Sequence, residues 1–294
     1  MRIGIAGLGR MGTAIAERLL ETGHTLVVWN RSPEKSEPFA QKGAEIAANP
    51  AALASQVDTI VTMLTDAAAI ETVYRGPDGL LAADLAGKLV IDMSTVQPAT
   101  QVALAGQVRA KGAAYVECPV GGTVGPARSG KLIGLAGAEA ADLARARPIL
   151  EALCRRIEHV GPVGAGASMK LAINLPLLVF YQALGEALAL CRPLNLDPAW
   201  LMEFFADTSG GANVLKVRGP AIAEALSGGD PPPAFDIASI RKDLRTMIAE
   251  AGAQGTTLPL AERTLSVYDE AAAAGWDHRD GAALPSFWAG RAAS

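Results

Sequence analysis

Residues 168–178 read SMKLAINLPLL, a run that is apolar except for Ser168, Lys170 and Asn174. Lys170 and Asn174 are one helical turn apart, so a helix here projects both from one face. Burying an ammonium is costly, and desolvation lowers a lysine's pKa from its ordinary value of about 10.4. Such an amine can hold a proton beside a carbonyl oxygen and release it as negative charge develops there. General acid catalysis of that kind contributes roughly 10²–10⁴-fold. Asn174 is spaced to orient the amine or the oxygen it serves. The competing reading of Lys170 is a packed aliphatic stem whose ammonium reaches water.

A second candidate stands near the N-terminus. GLGRMG supplies Gly7, Gly9 and Gly12 in G-x-G-x-x-G spacing, with Leu8, Arg10 and Met11 between them. The first glycine permits a tight turn, the second admits a pyrophosphate close to the backbone, and the third lets helix and strand pack closely. The N–H groups of the helix that follows would face the anion. The hexapeptide follows an apolar strand pattern, opens a helix pattern and is answered by a second strand, the context that dinucleotide binding requires. That second strand ends in WNRSPEK, where NAD-preferring sites place Asp or Glu against the ribose 2′-hydroxyl. Asn30, Arg31, Ser32 and Lys35 instead suit a 2′-phosphate, which a guanidinium holds with paired charge-assisted bonds. NADP(H) is therefore the expected cofactor, and Ser32 also fits the cap position of a short helix.

The elements that would position these residues follow from periodicity. RIGIAG, TLVVWN, TIVTML, KLVIDMS, AAYVECPV and KLIGLAG read as strands, with helical patterns between most of them. The first such helix, MGTAIAERLLETG, ends at a glycine stop, Gly23. Alternation of this kind predicts a mostly parallel sheet with both faces covered. After the Gly/Pro-punctuated joint VGPVGAGAS (160–168), helical patterns alone remain, at 169–194, 198–206, 214–225, 237–251 and 259–274. SGGDPPPAFD (227–236) is a loop, because consecutive prolines exclude a helix. The expected architecture is α/β, an N-terminal Rossmann-type doubly wound domain over 1–162 followed by an all-α domain over 163–294. Pro176 lacks a backbone donor, so a kink is expected just beyond Asn174.

Composition narrows the classes of partner. The chain has 294 residues, half of them hydrophobic and 19% charged, with net charge −4 and no basic block. Nucleic acid and anionic membranes are poor partners for such a surface. The long apolar run 171–190 is interrupted by Asn174, Gln182 and Glu186, which favours a buried helix over a membrane span. No signal-peptide pattern opens the chain. Cys118, Cys154 and Cys191 are odd in number and widely spaced, which fits a reducing cytoplasm. His24, His159 and His278 lack ligand spacing, so no metal is expected. Trp200, Phe204 and Phe205 read as helical core.

Several stretches in order, GLGRMG, NRSPEK, IDMSTVQP, VECPVGG, GAGASMKLAIN and PPAFDIASIRKDL, resemble the β-hydroxyacid dehydrogenases of the 3-hydroxyisobutyrate dehydrogenase type. Within that family the likeness is strongest to glyoxylate/succinic semialdehyde reductases. The resemblance implies that Lys170 is the general acid/base and Asn174 its partner. It implies Ser94 and Thr95 beside the nicotinamide and substrate, and Met63 and Leu64 along the cofactor ribose. Lys242 would reach the cofactor, with Asp243 structural. Residues after the fifth strand, here Gly121, Gly122 and Thr123, would receive a substrate carboxylate. Homodimers or larger homo-oligomers formed through the helical domain are also implied.

Two positions depart from the family pattern. Pro-Val-Ser-Gly is here Pro119-Val120-Gly121-Gly122, so a hydroxyl is missing at Gly121, while backbone donors and Thr123 remain. Ile173 stands where many relatives have a first asparagine. The reading that results is an NADPH-dependent reductase of small aldehydes or 2-oxo acids, reversibly a hydroxyacid dehydrogenase. An imine reductase on the same plan is the alternative enzyme. A silent NADP-binding scaffold is the alternative of another class, disfavoured by the presence of Lys170.

Overall fold

The computed structural model describes residues 1–290. Packing divides the chain into two compact units, Met1–Leu171 and Ala172–Ser294. The break falls inside a helix, later than the Gly/Pro joint, so Lys170 packs with the first unit.

The first unit is built on a nine-stranded sheet. Its strands are β1 (Arg2–Ala6), β2 (Thr25–Trp29), β3 (Glu45–Ile46), β4 (Thr59–Thr62), β5 (Leu89–Asp92), β6 (Ala114–Glu117), β7 (Val120–Gly121), β8 (Leu132–Ala138) and β9 (Cys154–Gly161). The spatial order is β3-β2-β1-β4-β5-β6-β8-β7, with β9 also paired to β8. Strands β3 to β6 run parallel, β8 lies antiparallel to β6 and β7, and β9 is parallel to β8. Helices α1 (Arg10–Glu21), α2 (Glu37–Ala40), α3 (Pro50–Ser55), α4 (Ala67–Arg75), α5 (Pro98–Ala110), α6 (Val124–Arg128) and α7 (Ala140–Leu153) connect them.

Alternation along each strand builds two cores. Ile3, Ile5, Leu26, Val28, Val61, Leu89 and Ile91 pack with Ile15 and Leu19 of α1 and Ile149 and Leu150 of α7. Val27, Ile60, Val90 and Tyr115 face the other way, onto Leu53, Ile70, Val73, Leu104 and Val108 of α3, α4 and α5. Side chains of period two, buried on both faces, explain the β-branched runs seen in the sequence. Strand β9 was not expected. Arg155 and Arg156 are exposed on it, and charge of that kind protects an edge strand while hiding its pattern.

Helix α8 (Ala165–Cys191) begins in the first unit and continues into the second, which also holds α9 (Pro198–Ala206), α10 (Leu215–Leu226), α11 (Ile237–Ala253), α12 (Pro259–Ala271) and α13 (Leu284–Ala289). The all-helical expectation for this half is met. Helix α8 runs as one element through Pro176, which lies on its exposed side, so no break follows Asn174. By length and composition α8 is apolar enough to cross a bilayer, yet it buries Lys170, Asn174 and Gln182. Trp200 and Phe204 correct the core expectation: they stack at 5.0 Å and are 48% and 54% exposed. Helix α9 buries Leu201 and Met202 instead, leaving the i, i+4 aromatic pair outside.

One buried carboxylate organises the second unit. Asp280 accepts hydrogen bonds from the backbone N–H groups of Ala234 and Ala282, both at 2.7 Å, and of Phe235 at 3.2 Å, and pairs with Arg218 of α10. It ties the proline-rich loop to the segment before α13. The sequence reading gave it no role.

Candidate active site

The glycine turn stands at the carboxyl end of β1. Gly7 adopts φ +101°, and a side chain there would meet the Met63 carbonyl at 2.4 Å. A Cβ on Gly12 would lie 1.9 Å from the Gly7 carbonyl oxygen, so close packing excludes every larger residue. Gly9, by contrast, faces open space and caps α1 without any side-chain bond. That geometry leaves room for an anion at the start of α1, as a pyrophosphate would need.

Asn30 links this turn to the end of β2. Its Oδ1 accepts the Leu8 N–H at 2.8 Å and its Nδ2 donates to the Ser32 carbonyl at 3.0 Å. Arg31 and Lys35 are exposed beyond it. Ser32 occupies the cap position of the short helical turn Pro33–Lys35, but its hydroxyl makes no capping bond. The capping role considered for Ser32 is therefore not realised.

The neighbouring strand ends continue the line. The Leu64 N–H donates to Ser94 Oγ at 2.9 Å, and Ser94 Oγ in turn donates to Asp92 Oδ2 at 3.2 Å. Ser94 is fully buried, so its hydroxyl proton is committed to the protein, while Thr95 beside it is half-buried. Asp92 also accepts from Thr62 Oγ1, from Gln101 Nε2 at 2.8 Å and from the Ser94 N–H at 3.0 Å. Because Thr62 spends its proton on Asp92, Tyr74 donates to Thr62. Tyr115 donates to Gln101 Oε1. Burial pushes the Asp92 carboxyl up, opposed by these donors, and pushes both tyrosine hydroxyls well above their ordinary range. Asp92 thus fixes Ser94, a role the sequence reading missed although IDMST contains it.

At the end of β6, Glu117 is fully buried and accepts the N–H groups of Gly164 and Gly166 at 2.6 and 2.7 Å. Two residues into α8 from these contacts stands Ser168, and Lys170 follows it, only 8% exposed. Gly121 ends β7 half-buried; Gly122 is exposed at φ +120°, and Thr123 stands at the cap position before α6 without making a capping bond.

In the second unit Asn174, Lys242 and Asp243 meet. Asp243 is 3% exposed; it accepts from Asn174 Nδ2 at 3.2 Å and pairs with Lys242 Nζ at 2.5 Å. Lys242 and Asn174 are thus joined by the residue expected to be structural. The first unit therefore assembles Gly7 to Gly12, Asn30, Met63, Leu64 and Ser94 just beyond the carboxyl ends of β1, β2, β4 and β5, where open parallel sheets bind ligands.

The glycine turn and the open start of α1 suit a dinucleotide, and the relatives show the class: an NAD(P)-dependent oxidoreductase acting on hydroxyl or carbonyl groups. Residues 2–161 match the family described as the NAD binding domain of 6-phosphogluconate dehydrogenase, and residues 164–288 match NAD-binding of NADP-dependent 3-hydroxyisobutyrate dehydrogenase. The chain belongs to the β-hydroxyacid dehydrogenase family. It is 34% identical over 279 residues to 3-hydroxyisobutyrate dehydrogenase of Pseudomonas aeruginosa, covering 94% of each chain. It is 31% identical to glyoxylate/succinic semialdehyde reductase 1 of Arabidopsis thaliana, covering 97% of each. Among solved structures, Mycobacterium tuberculosis 3-hydroxyisobutyrate dehydrogenase with L-serine superimposes with a TM-score of 0.85 at 26% identity, covering 97% of this chain and 98% of that one.

Proposed function

We propose that this enzyme is an NADPH-dependent reductase of small aldehydes or 2-oxo acids, of the glyoxylate/succinic semialdehyde type, and in reverse a β-hydroxyacid dehydrogenase. The observation that carries the reading is the burial of Lys170 in the opening turns of α8. A reduced nicotinamide, when bound, supplies hydride to the carbonyl carbon. Lys170 holds the proton that the carbonyl oxygen takes up, and Asn174, anchored by Asp243, orients the polar groups at that oxygen. Gly7, Leu8, Gly9, Arg10, Met11 and Gly12 hold the pyrophosphate, Met63 and Leu64 line the ribose and Thr95 completes the cofactor contacts of the first unit; in the second unit Lys242 is the residue assigned to the cofactor by the family resemblance. Ser94, fixed by Asp92, and the segment Gly121–Gly122–Thr123 shape the substrate side. A spectrophotometric screen of NADPH oxidation tests the reading. Glyoxylate, succinic semialdehyde and 2-methyl-3-oxo acids are expected to turn over; turnover of a cyclic imine alone overturns it.

The preference for NADPH is supported by Asn30 in place of a carboxylate at the end of β2, by exposed Arg31 and Lys35, and by the NADP-dependent family that residues 164–288 match. Arg31→Ala is expected to raise KM for NADPH by roughly ten-fold or more, the worth of a lost charge-assisted bond, and to leave KM for NADH nearly unchanged. Equal effects on both cofactors would remove the 2′-phosphate assignment.

Gly121 lies outside the set of positive-φ residues, whereas Gly122 needs its glycine. The backbone at position 121 is therefore one that a residue with a side chain adopts without strain. Gly121→Ser is expected to raise kcat/KM for carboxylate-bearing substrates over neutral aldehydes by roughly ten-fold, through one added bond to a charged group. An unchanged ratio means that the acid is held elsewhere.

The proposal includes a cytoplasmic homodimer or larger homo-oligomer. Leu190, Leu194, Leu196, Trp200 and Phe204 leave apolar surface exposed in the second unit, and the cysteines are unbridged.

A further inference from the structure

We propose that Glu117 is the positioning residue for Lys170: its carboxylate ties the end of β6 to the entry of α8 and so sets where the lysine amine stands. The functional consequence rests on the proton-donor reading of Lys170; the contact itself does not. Glu117 Oε1 receives two backbone N–H groups, from Gly164 and Gly166, that flank the first residue of α8. Lys170 is four residues beyond Gly166, one turn along the same helix. A carboxylate suits a helix N-terminus, where the backbone presents unpaired donors and partial positive charge.

The surroundings are shaped around this carboxylate. A Cβ on Gly137 of β8 would lie 2.1 Å from Glu117 Oε1, and one on Gly166 would lie 3.1 Å from it and 2.3 Å from the Leu135 carbonyl. Glycine at both positions is what admits the acid. A neutral acceptor would also satisfy two N–H groups, but less strongly than a charged one; here an acid is buried, and its Oε2 has no hydrogen-bond partner among the described residues. Desolvation pushes its carboxyl up to about 7, and the Asp92 charge across the β5–β6 pairing adds to the rise. The N–H groups of Gly166, Gly164 and Ala167 pull the other way. The grip on α8 therefore changes strength around neutral pH: firm when Glu117 is an anion, weak when it is protonated.

Other groups around Glu117 behave differently. Tyr115 and Cys118, on its own strand and just beyond, are pushed well above their ordinary values by burial and stay neutral. Asp92 on β5 is saturated with donors, Lys170 lies on α8, and β8 presents glycine and aliphatic residues. On β9, His159 places Nε2 2.8 Å from the Ala138 carbonyl, so His159→Gln is the control.

The test follows pH titration by NMR in protein labelled at glycine and lysine, with the Lys170 signal assigned by its loss in Lys170→Arg. In the unaltered protein the Gly164 and Gly166 amides and the Lys170 side chain are expected to shift with one common midpoint near pH 7. Glu117→Gln should abolish that transition at Lys170, and His159→Gln should keep it. A Lys170 signal that titrates identically in Glu117→Gln, or that stays still while the glycine amides move, overturns the proposal. The second comparison needs only the unaltered chain, so it decides the matter even if Glu117→Gln does not fold. With a carbonyl substrate, kcat is expected to fall about ten-fold from pH 8 to pH 6, and less than about two-fold in Glu117→Gln, as expected for a group titrating at pH 7. KM for NADPH should not change. A ten-fold fall retained in Glu117→Gln counts against the proposal. If no carbonyl substrate turns over, the functional reading fails while the NMR result still stands.

Discussion

Lys170→Met is expected to lower kcat by about 10²–10⁴-fold, the range that removal of a positioned general acid produces, while leaving dinucleotide affinity unchanged. Methionine keeps the length and the apolar stem of lysine, so the site, only 8% exposed, remains filled and the fold of α8 is undisturbed. Asn30 holds the glycine turn through the Leu8 N–H and the Ser32 carbonyl, so the coenzyme turn keeps this support when the amine is removed. Fluorescence titration with NADPH and single-turnover kinetics with an aldehyde acid check the two parts. A variant with near-normal kcat would show that the oxygen takes its proton from elsewhere, and Lys170 would revert to a packing role.

The second large effect is one of stability. Asp280→Ala is expected to cost roughly 3–5 kcal/mol, because it removes the carboxylate partner of the half-buried Arg218 guanidinium and leaves three backbone N–H groups without their acceptor. For a unit of this size that corresponds to a fall in melting temperature of roughly 10–20 °C. Asp280→Asn should fall between the two, since an amide oxygen replaces one acceptor but not the charge. Differential scanning calorimetry reads the transition directly, and a shift below about 3 °C would show that the carboxylate is dispensable. Tyr181, which also bonds Arg218, should keep its burial in the Asn variant.

Much of this fold was legible because it is written in periodicity. The β-branched runs of β1, β2, β4, β5 and β6 are buried on both faces, and GLGRMG sits where a strand turns into a helix. Strand β9 was not legible, since its exposed arginines erase the apolar signal. Trp200 and Phe204 misled for the opposite reason: large aromatic side chains suggest a core, and only the packing of α9 shows which face is turned inward. The buried acids Asp92, Glu117 and Asp280 were invisible as functional groups. The partners of Glu117 and Asp280 are mostly backbone N–H groups, some of them more than forty residues away, and a backbone donor leaves no trace in residue identity; those of Asp92 are side chains brought to it from β4 and α5. Glycine gave the one usable hint: Gly137 inside a buried strand marks a close approach, and what approaches it is Glu117.

The crowding at Gly12 also bears on redesign. With the Gly7 carbonyl 1.9 Å from where a methyl group would sit, position 12 of the phosphate-side turn admits no other residue. On the proposed preference for NADPH, the stretch to redesign for the unphosphorylated coenzyme is the one from Arg31 to Lys35, where Arg31 and Lys35 are exposed. Asn30 should be left alone there, because its amide fastens that stretch to the turn.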